Sequence, residues 1–513
     1  MLTEMKKTIY LIFMIFVLAA CSENILNLEN PNQYSAETYF KNLDECERGV
    51  NAIYGGFYHD GLFAREYYFI FDCLANEAEQ NSPMEAPTTD WPNYTHNPGN
   101  AELQGLWRSL YRIIFRANVA LENIGKWEAV TENEVARKES LIGEAYFLRA
   151  WAYFELVNIW GRVPIRTFEN STEAQIPRSN TADIWSIVEN NLDEAIKRLP
   201  VSWDGTNAGR ATKGAAVALL GKAYLYEKKY SEASTEFAKL AQAPYSYQLH
   251  PSYSEDFLEA GDNNEESVFE VQFVGGATGD AVWYMFGGQE DWGLGGLHTG
   301  RATEYGFNDW ENVHVSNAAV AAFTYFDEGN NKYIDPRASM VFYGDPAAGG
   351  DSDYAGGPFP YEDKGFMYKK YQTYETNVYE GDPNSGINAK VIRYADVLLM
   401  RAEALIMDNK TGDALPLINM VRERAGAFQY TTLGNQQEAM VKLKLERRLE
   451  LCGEQVRWFD LIRWGEAMRV INEEKFAAKG VRPFQEKHVL FPIPQEEKDA
   501  NQLVANDIQN DWN

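Results

Sequence analysis

The sequence predicts a mainly α-helical fold, a tetratricopeptide-like helix-pair superhelix with an irregular loop-rich lobe inserted. Three observations carry that prediction. Long segments place apolar residues at spacings of three and four, the period of an amphipathic helix. Residues 214–244 carry a small residue, an aromatic three later, then Ala and Phe twelve and sixteen later (Gly221, Tyr224, Ala233, Phe237), which is the spacing of a tetratricopeptide repeat. Between 245 and 389 this periodicity gives way to glycine and aromatic residues, as in Phe273-Val274-Gly275-Gly276 and the 287–296 and 349–357 tracts.

Taken in order, 38–54 reads as a first helix. Residues 76–100, with Pro83, Pro87, Pro92 and Pro98, read as a loop. Helices follow over 101–127 and 132–160. In the second, Ala145, Leu148, Ala152, Leu156 and Ile159 share a face, and Gly161 and Pro164 stop it. A helix over 181–199 takes Thr181 as its N-cap. Gly221 lets the two helices of the 214–244 pair approach closely and Tyr224 fills the gap. Leu240 stands where the repeat usually has Ala, and Pro244 comes one place early. A second pair spans 391–426, with Ala402 and Ala414 twelve apart, and a third comprises 440–452 and 455–473. Several stacked copies are needed to bury a continuous core. In the inserted region 268–273 and 367–371 read as strands and 316–326 as a helix. The resulting partition is a scaffold over about 35–244 and 390–475, a ligand lobe over about 245–389 and an extension over 476–513.

The N-terminus is an address. Lys6 and Lys7 precede an apolar run from Ile9 to Leu18, then Ala19-Ala20-Cys21. A positive segment, a short apolar core and a small-residue cleavage site form a secretory signal over 1–20, too short to span a bilayer. The cysteine after Ala-Ala resembles the lipobox of bacterial lipoproteins, in which that Cys is acylated and becomes the new N-terminus. Ser22-Glu23 resembles the short acidic signal that sends some Bacteroidetes-type lipoproteins to the cell surface. The expectation is an outer-membrane protein anchored by lipid and exposed at the surface, with a tether to about Pro31.

The chain has 513 residues, a net charge of −28 and a pI of about 4.7. That charge repels phosphates and excludes nucleic-acid binding by general electrostatics. Beyond Cys21 three cysteines remain, Cys46, Cys73 and Cys452, with no C-x-x-C spacing. They read as small buried thiols, a Cys46–Cys73 bridge being the alternative open to an exported protein. The six histidines are scattered, without the H-x-x-x-H of zinc hydrolases. No G-x-S-x-G, phosphate-binding or dinucleotide motif is present. Asp327-Glu328-Gly329-Asn330-Asn331 with Asp335 misses the calcium-loop spacing. It reads as a polar turn, calcium being the alternative, and no other cofactor is expected.

The later motifs are longer. They comprise Ile392-Arg393-Tyr394-Ala395-Asp396-Val397-Leu398-Leu399-Met400-Arg401-Ala402-Glu403-Ala404, Ile418-Asn419-Met420-Val421-Arg422-Glu423-Arg424-Ala425-Gly426, Glu446-Arg447-Arg448-Leu449-Glu450-Leu451-Cys452-Gly453-Glu454, Arg457-Trp458-Phe459-Asp460-Leu461-Ile462-Arg463-Trp464-Gly465 and Phe491-Pro492-Ile493-Pro494. With Leu148-Arg149-Ala150-Trp151-Ala152-Tyr153-Phe154 and Gly161-Arg162-Val163-Pro164 upstream, the chain resembles the SusD/RagB family of outer-membrane nutrient-uptake lipoproteins. Read physically, Arg393, Asp396, Arg401 and Glu403, and again Arg447, Glu450, Arg457, Asp460 and Arg463, are charges set in apolar helices. Arg–carboxylate pairs there would lock the helix pairs in register.

The resemblance implies a non-enzymatic protein that binds glycan on a shallow aromatic platform and acts as the lid of a SusC-like TonB-dependent transporter. Sugars offer flat C–H faces to Trp and Tyr and hydroxyls to fixed polar groups. Loop aromatics beside Asp, Asn, Gln or Arg are therefore the pattern to seek. Two regions carry it, 89–94 and 289–310. Trp91, Trp292 and Trp310 are the candidate stacking residues, with Tyr305 beside them, and Asp90, Asn93 and Arg301 are the polar candidates. Competing readings are a peptide- or glycopeptide-capturing lid, a helical-repeat scaffold for other proteins, and a hydrolase built on a carboxylate pair. The N-terminal reading has a direct test. Mass spectrometry of the mature protein should find an acylated Cys21 as its first residue, and a mature chain that retains residues before Cys21, or starts there without lipid, contradicts it.

Overall fold

The computed structural model describes residues 39–80, 86–275, 299–307, 310–354, 356–372 and 385–507. Cys21 and Trp292 lie outside them. Helices of eight or more residues are numbered α1 (Leu43–Tyr54), α2 (Glu66–Leu74), α3 (Ala86–Asn93), α4 (Ala101–Lys126), α5 (Glu132–Trp160), α6 (Thr181–Arg198), α7 (Lys213–Tyr226), α8 (Tyr230–Lys239), α9 (Tyr394–Met407), α10 (Thr411–Arg424), α11 (Gln436–Glu450), α12 (Val456–Arg463) and α13 (Ala467–Lys479). Strands of three or more are β1 (Ala78–Gln80), β2 (Ser267–Val271), β3 (Val313–Val315), β4 (Thr324–Phe326), β5 (Lys332–Ile334) and β6 (Ala389–Arg393).

The helices begin where side chains satisfy their first free N–H groups. Asn100 caps α4, Thr212 caps α7, and Thr131 and Asn435 form capping boxes with Glu134 and Glu438 at α5 and α11. The cap of α6 is Asn180, one place before the expected Thr181, because its Oδ1 accepts from Asp183 N. Gly161, at φ 70°, ends α5. Helices α4 to α8 pack each on the next, then α8 packs on α9 and α9 on α10 and α11. The superhelix is therefore continuous in space although some 150 residues intervene between α8 and α9 in sequence. The repeat spacing has its physical reason at Gly221, where a Cβ would come within 2.7 Å of the Phe237 ring.

Several elements differ from the sequence reading. The first helix begins at Leu43 under an Asn42 cap, not at 38. The loop expected over 76–100 contains β1 and α3. The last expected helix is two, α12 and α13, broken at Gly465 with φ 69°. The helix expected over 316–326 covers only Asn317–Ala322, after which β4 pairs with β5. The turn between β4 and β5 is the acidic segment 327–331, where Asp327 accepts from Asn331 N at 2.8 Å. Asp335 joins Arg337 at 2.8 Å. Cys46, Cys73 and Cys452 are buried free thiols. Among the described residues no helix is long and apolar enough to cross a membrane.

Strand pairing and buried charges attach the lobe. β2 pairs antiparallel with β6 and so closes its base, and β1 pairs with β3. A further attachment is electrostatic. Arg337 binds Asp335 at 2.8 Å, Glu446 at 2.7 Å and Glu450 at 2.9 Å. Arg393 binds Glu266 at 2.7 Å, Glu450 at 2.6 Å and Glu454 at 2.7 Å. Arg424 reaches Glu266 and Glu450, Arg422 reaches Glu446 and Lys370 reaches Glu454. These five cations and five carboxylates balance, and all are buried at their charged ends. A second buried set joins Arg447 to Asp396 and Asp460, and Arg463 to Asp460 and Glu403.

Burial works against the ionised forms of Glu450, Glu454 and Asp335, but the facing cations outweigh it and hold all three carboxyls below the usual range. A depressed folded-state pKa contributes stability that is present above the unfolded-state value, near 4, and is lost as pH falls through the folded one. Removing one partner strands the others in a dry interior. Arg337→Met should therefore lower stability to urea by roughly 3–5 kcal/mol at pH 7, and the gap from wild type should narrow as pH is taken below about 4. A gap that is near zero at pH 7, or independent of pH, contradicts the assignment.

Candidate functional site

The two expected ligand regions occupy different environments. In α3, Trp91 is fully buried. Its ring packs against His96 at 4.6 Å and stacks on Phe491 at 5.3 Å, and its Nε1 donates to Glu102. Phe491 comes from the Phe-Pro-Ile-Pro motif, which is itself held by Trp160 Nε1 donating to Pro492 O at 2.9 Å. Trp91 is thus a packing residue with no face left for a sugar, because a distant segment covers it. Asp90 is half-buried and accepts from Thr95 Oγ1 at 2.7 Å and Asn100 Nδ2 at 3.0 Å. Asn93 is exposed and donates to Thr89 O at 2.8 Å. This side of the site is a self-tied turn rather than a platform.

Arg301 and Tyr305 are also interior. They lie on a five-residue helix, Arg301–Tyr305, fastened to α2 and its approach. Gly300 N donates to Ala64 O at 2.8 Å, Arg65 pairs with Glu304 at 2.5 Å and Tyr305 Oη donates to Asp72 at 2.8 Å. The Arg301 guanidinium lies 3.6 Å from the Tyr371 ring centre and 4.7 Å from that of Tyr68, and it donates to Gly453 O. Burial opposes the charge on Arg301, but Tyr371 and Asp72 outweigh it and raise its pKa. Burial likewise pushes Asp72 up, and Glu77 up to about 7. The function of this post is positional. It places Thr299, which donates from N to Ser385 O at 3.2 Å, and fixes where the 276–298 stretch containing Trp292 rejoins the described chain.

Just beyond the post, Trp310 is half-buried and its N donates to Thr303 O at 3.2 Å. The same part of the lobe carries a small aromatic cluster separate from the main core. Tyr343, Phe359 and Met367 are buried, and Phe307, Tyr354 and Tyr361 pack on them half-exposed. Phe307 meets Tyr354 and Phe359 edge-on at 4.9 Å each, and Tyr343 stacks on Phe359 at 5.4 Å. Charged groups border it. Lys364 pairs with Glu311 at 2.6 Å and lies 5.8 Å from the Phe307 ring, while Lys369 pairs with Asp351 at 2.5 Å and lies 5.6 Å from Tyr343. Half-exposed rings held edge-on by a second layer of rings, with fixed polar groups beside them, can stack a ligand without reorganising. Phe307, Tyr354 and Tyr361 were not singled out by sequence. The signal available was the placing of Tyr354 and Phe359 on either side of Gly356-Gly357 in a tract with no helical or strand period.

Two carboxylates of the late motifs are engaged in ion pairs. Glu450 and Asp460 are buried and held ionised by arginines. Among the described residues no group of three His, Cys, Asp or Glu side chains is placed to hold a metal ion.

Comparison with known proteins bears on this arrangement. Residues 33–225 match a family model described as starch-binding associating with outer membrane, and residues 307–511 match the SusD family. A SusD-like protein of Formosa agariphila is 26% identical, with 98% of each chain covered. A SusD superfamily protein from Bacteroides vulgatus superposes with a TM-score of 0.76 at 26% identity, covering 91% of this chain and 99% of its own. A laminarin-binding SusD-like protein superposes with a TM-score of 0.74 at 27% identity, covering 90% and 98%. Two family models that together span 33–225 and 307–511, relatives matched along nearly their whole length and a shared helical superhelix together establish that this chain belongs to the SusD/RagB family.

Proposed function

We propose that this protein is a surface glycan-binding lipoprotein that captures oligosaccharide on its lobe and passes it, as a lid, to a TonB-dependent outer-membrane transporter. The observation that carries the reading is the half-exposed aromatic surface of Phe307, Tyr354 and Tyr361 on a buried base of Tyr343, Phe359 and Met367, with half-buried Trp310 three residues from Phe307 in sequence, in a chain whose relatives include a laminarin-binding protein of the same fold. Trp292, outside the described residues, remains a candidate stacking residue in this reading. Capture requires no bond to be made or broken, which agrees with carboxylates locked in ion pairs. The anchor is the lipid on Cys21, and the stretch after it gives the lid its reach.

Affinity electrophoresis and calorimetry against a panel of neutral polysaccharides test the reading. A ligand is expected whose affinity falls at least tenfold, about 1.4 kcal/mol, in Trp310→Ala, Tyr354→Ala or Trp292→Ala, with the urea midpoint little changed. A panel in which no glycan binds contradicts the function. So does a preference for peptides, and a shortened sugar after long incubation would make the protein an enzyme. The lid role predicts that a TonB-dependent transporter co-purifies from outer membranes, and that Cys21→Ala releases the protein and abolishes uptake.

A further inference from the structure

A second concavity lies away from the 307–368 surface, where the connection between α6 and α7 and the stretch after α8 meet β2. Two hollows, of about 270 and 360 Å³, share Ala208–Arg210 and the Phe269–Glu270 part of β2. The two hollows adjoin across these shared residues, with Gly209 between them. That residue holds φ 84°, and a Cβ on it would fall 2.2 Å from the Gln272 side chain, so only glycine fits the crossing.

The walls are aromatic and fixed. Trp203 is half-buried, and its Nε1 donates to Ala211 O at 2.8 Å. The Arg137 guanidinium backs its ring at 4.9 Å and is itself held by Glu47 at 2.7 Å and Glu144 at 2.9 Å. Tyr245 and Tyr247 lie nearly parallel, 16° apart at 6.2 Å, and Tyr394 continues the series behind Tyr247 at 24° and 6.1 Å. On the polar side Asn263 and Gln272 exchange amide hydrogen bonds of 2.7 and 3.0 Å, and Arg210 is held by Glu144 at 2.8 Å and Asn51 at 2.7 Å. Clamped rings facing fixed amide and guanidinium groups match the C–H faces and hydroxyls of a sugar at little cost in ordering. Both arginines are already paired with carboxylates and the chain carries −28, so the fit is to a neutral ligand. Two adjoining hollows of this size offer room for more than a single sugar.

From these observations we propose that the groove is a second carbohydrate site, which takes a neutral oligosaccharide segment while the lobe holds another. The proposal rests on the glycan-binding reading above and adds a site to it. A polymer long enough to reach both sites gains an effective concentration at the second, and hence avidity, that a short oligosaccharide does not.

Hydrogen exchange of the full mature protein, with and without laminarihexaose, cellohexaose or maltohexaose, tests it alongside calorimetry with the parent polysaccharides. One hexasaccharide should protect amides in 201–212 and 244–250, both in wild type and in a Trp310→Ala/Tyr354→Ala lobe variant. Trp203→Ala should lose that protection, keep any within 307–368, and bind the polymer about tenfold more weakly, with a smaller loss for the hexasaccharide. Ser246→Arg, at an exposed groove position, should do the same by filling the groove, and it covers the case in which Trp203→Ala fails to fold. Protection of the lobe but not of 201–212 in wild type overturns the second site and leaves the lobe reading standing. No binding by any glycan overturns both. Groove protection by a peptide mixture and by no glycan overturns the second site as a sugar site.

Discussion

Glu450 is the residue on which the rest of this structure turns. It ends α11, and three arginines converge on it from separate parts of the chain: Arg337 from the lobe, Arg393 from the end of β6 and Arg424 from the end of α10. Taking such charges out of water costs several kcal/mol each, and their mutual attraction returns little more than that. The network is therefore better understood as a register device than as a store of stability. Slipping α10, α11 or the lobe by one residue would leave a buried charge unpaired, and that penalty selects a single arrangement. Because the cluster is neutral, the excess negative charge of the chain lies outside it.

This constraint explains how an irregular lobe can present a defined surface. The lobe has short strands and long connections, and its own aromatic cluster is small. Its order is borrowed. Arg337 ties it to α11, the β2–β6 pairing closes its base, and the Arg301–Tyr305 post is fixed to α2 by Arg65–Glu304 and Tyr305–Asp72. Phe307 and Tyr354 stand on that base with their rings already oriented. A helical scaffold that spends its interior charges on register leaves its loops free to carry recognition.

The scaffold was legible in the sequence because its signals are local. Gly221 and Phe237 meet as their spacing implies, and Gly161 stops α5 where it stands. The Arg–carboxylate clusters were legible as paired charges, since charges in an apolar helix need partners wherever they fold. The site was less legible because burial is decided by distant segments. Trp91 sits in a polar, proline-rich stretch and reads as a loop aromatic until Phe491 and Glu102 enclose it. Arg301 reads as a ligand-facing cation until Tyr371, Tyr68 and Gly453 surround it. Gly465 stood in plain view within a helical motif, yet nothing local shows that its left-handed turn divides α12 from α13.

The buried ion network, and not the lobe's own packing, holds the lobe in place. Hydrogen exchange of Arg337→Met under native conditions tests it most directly. Amides in 266–271 and 324–343 should lose protection while those of α4, α5 and α6 keep theirs. Loss spread evenly over the chain, or protection of the lobe unchanged, would contradict it.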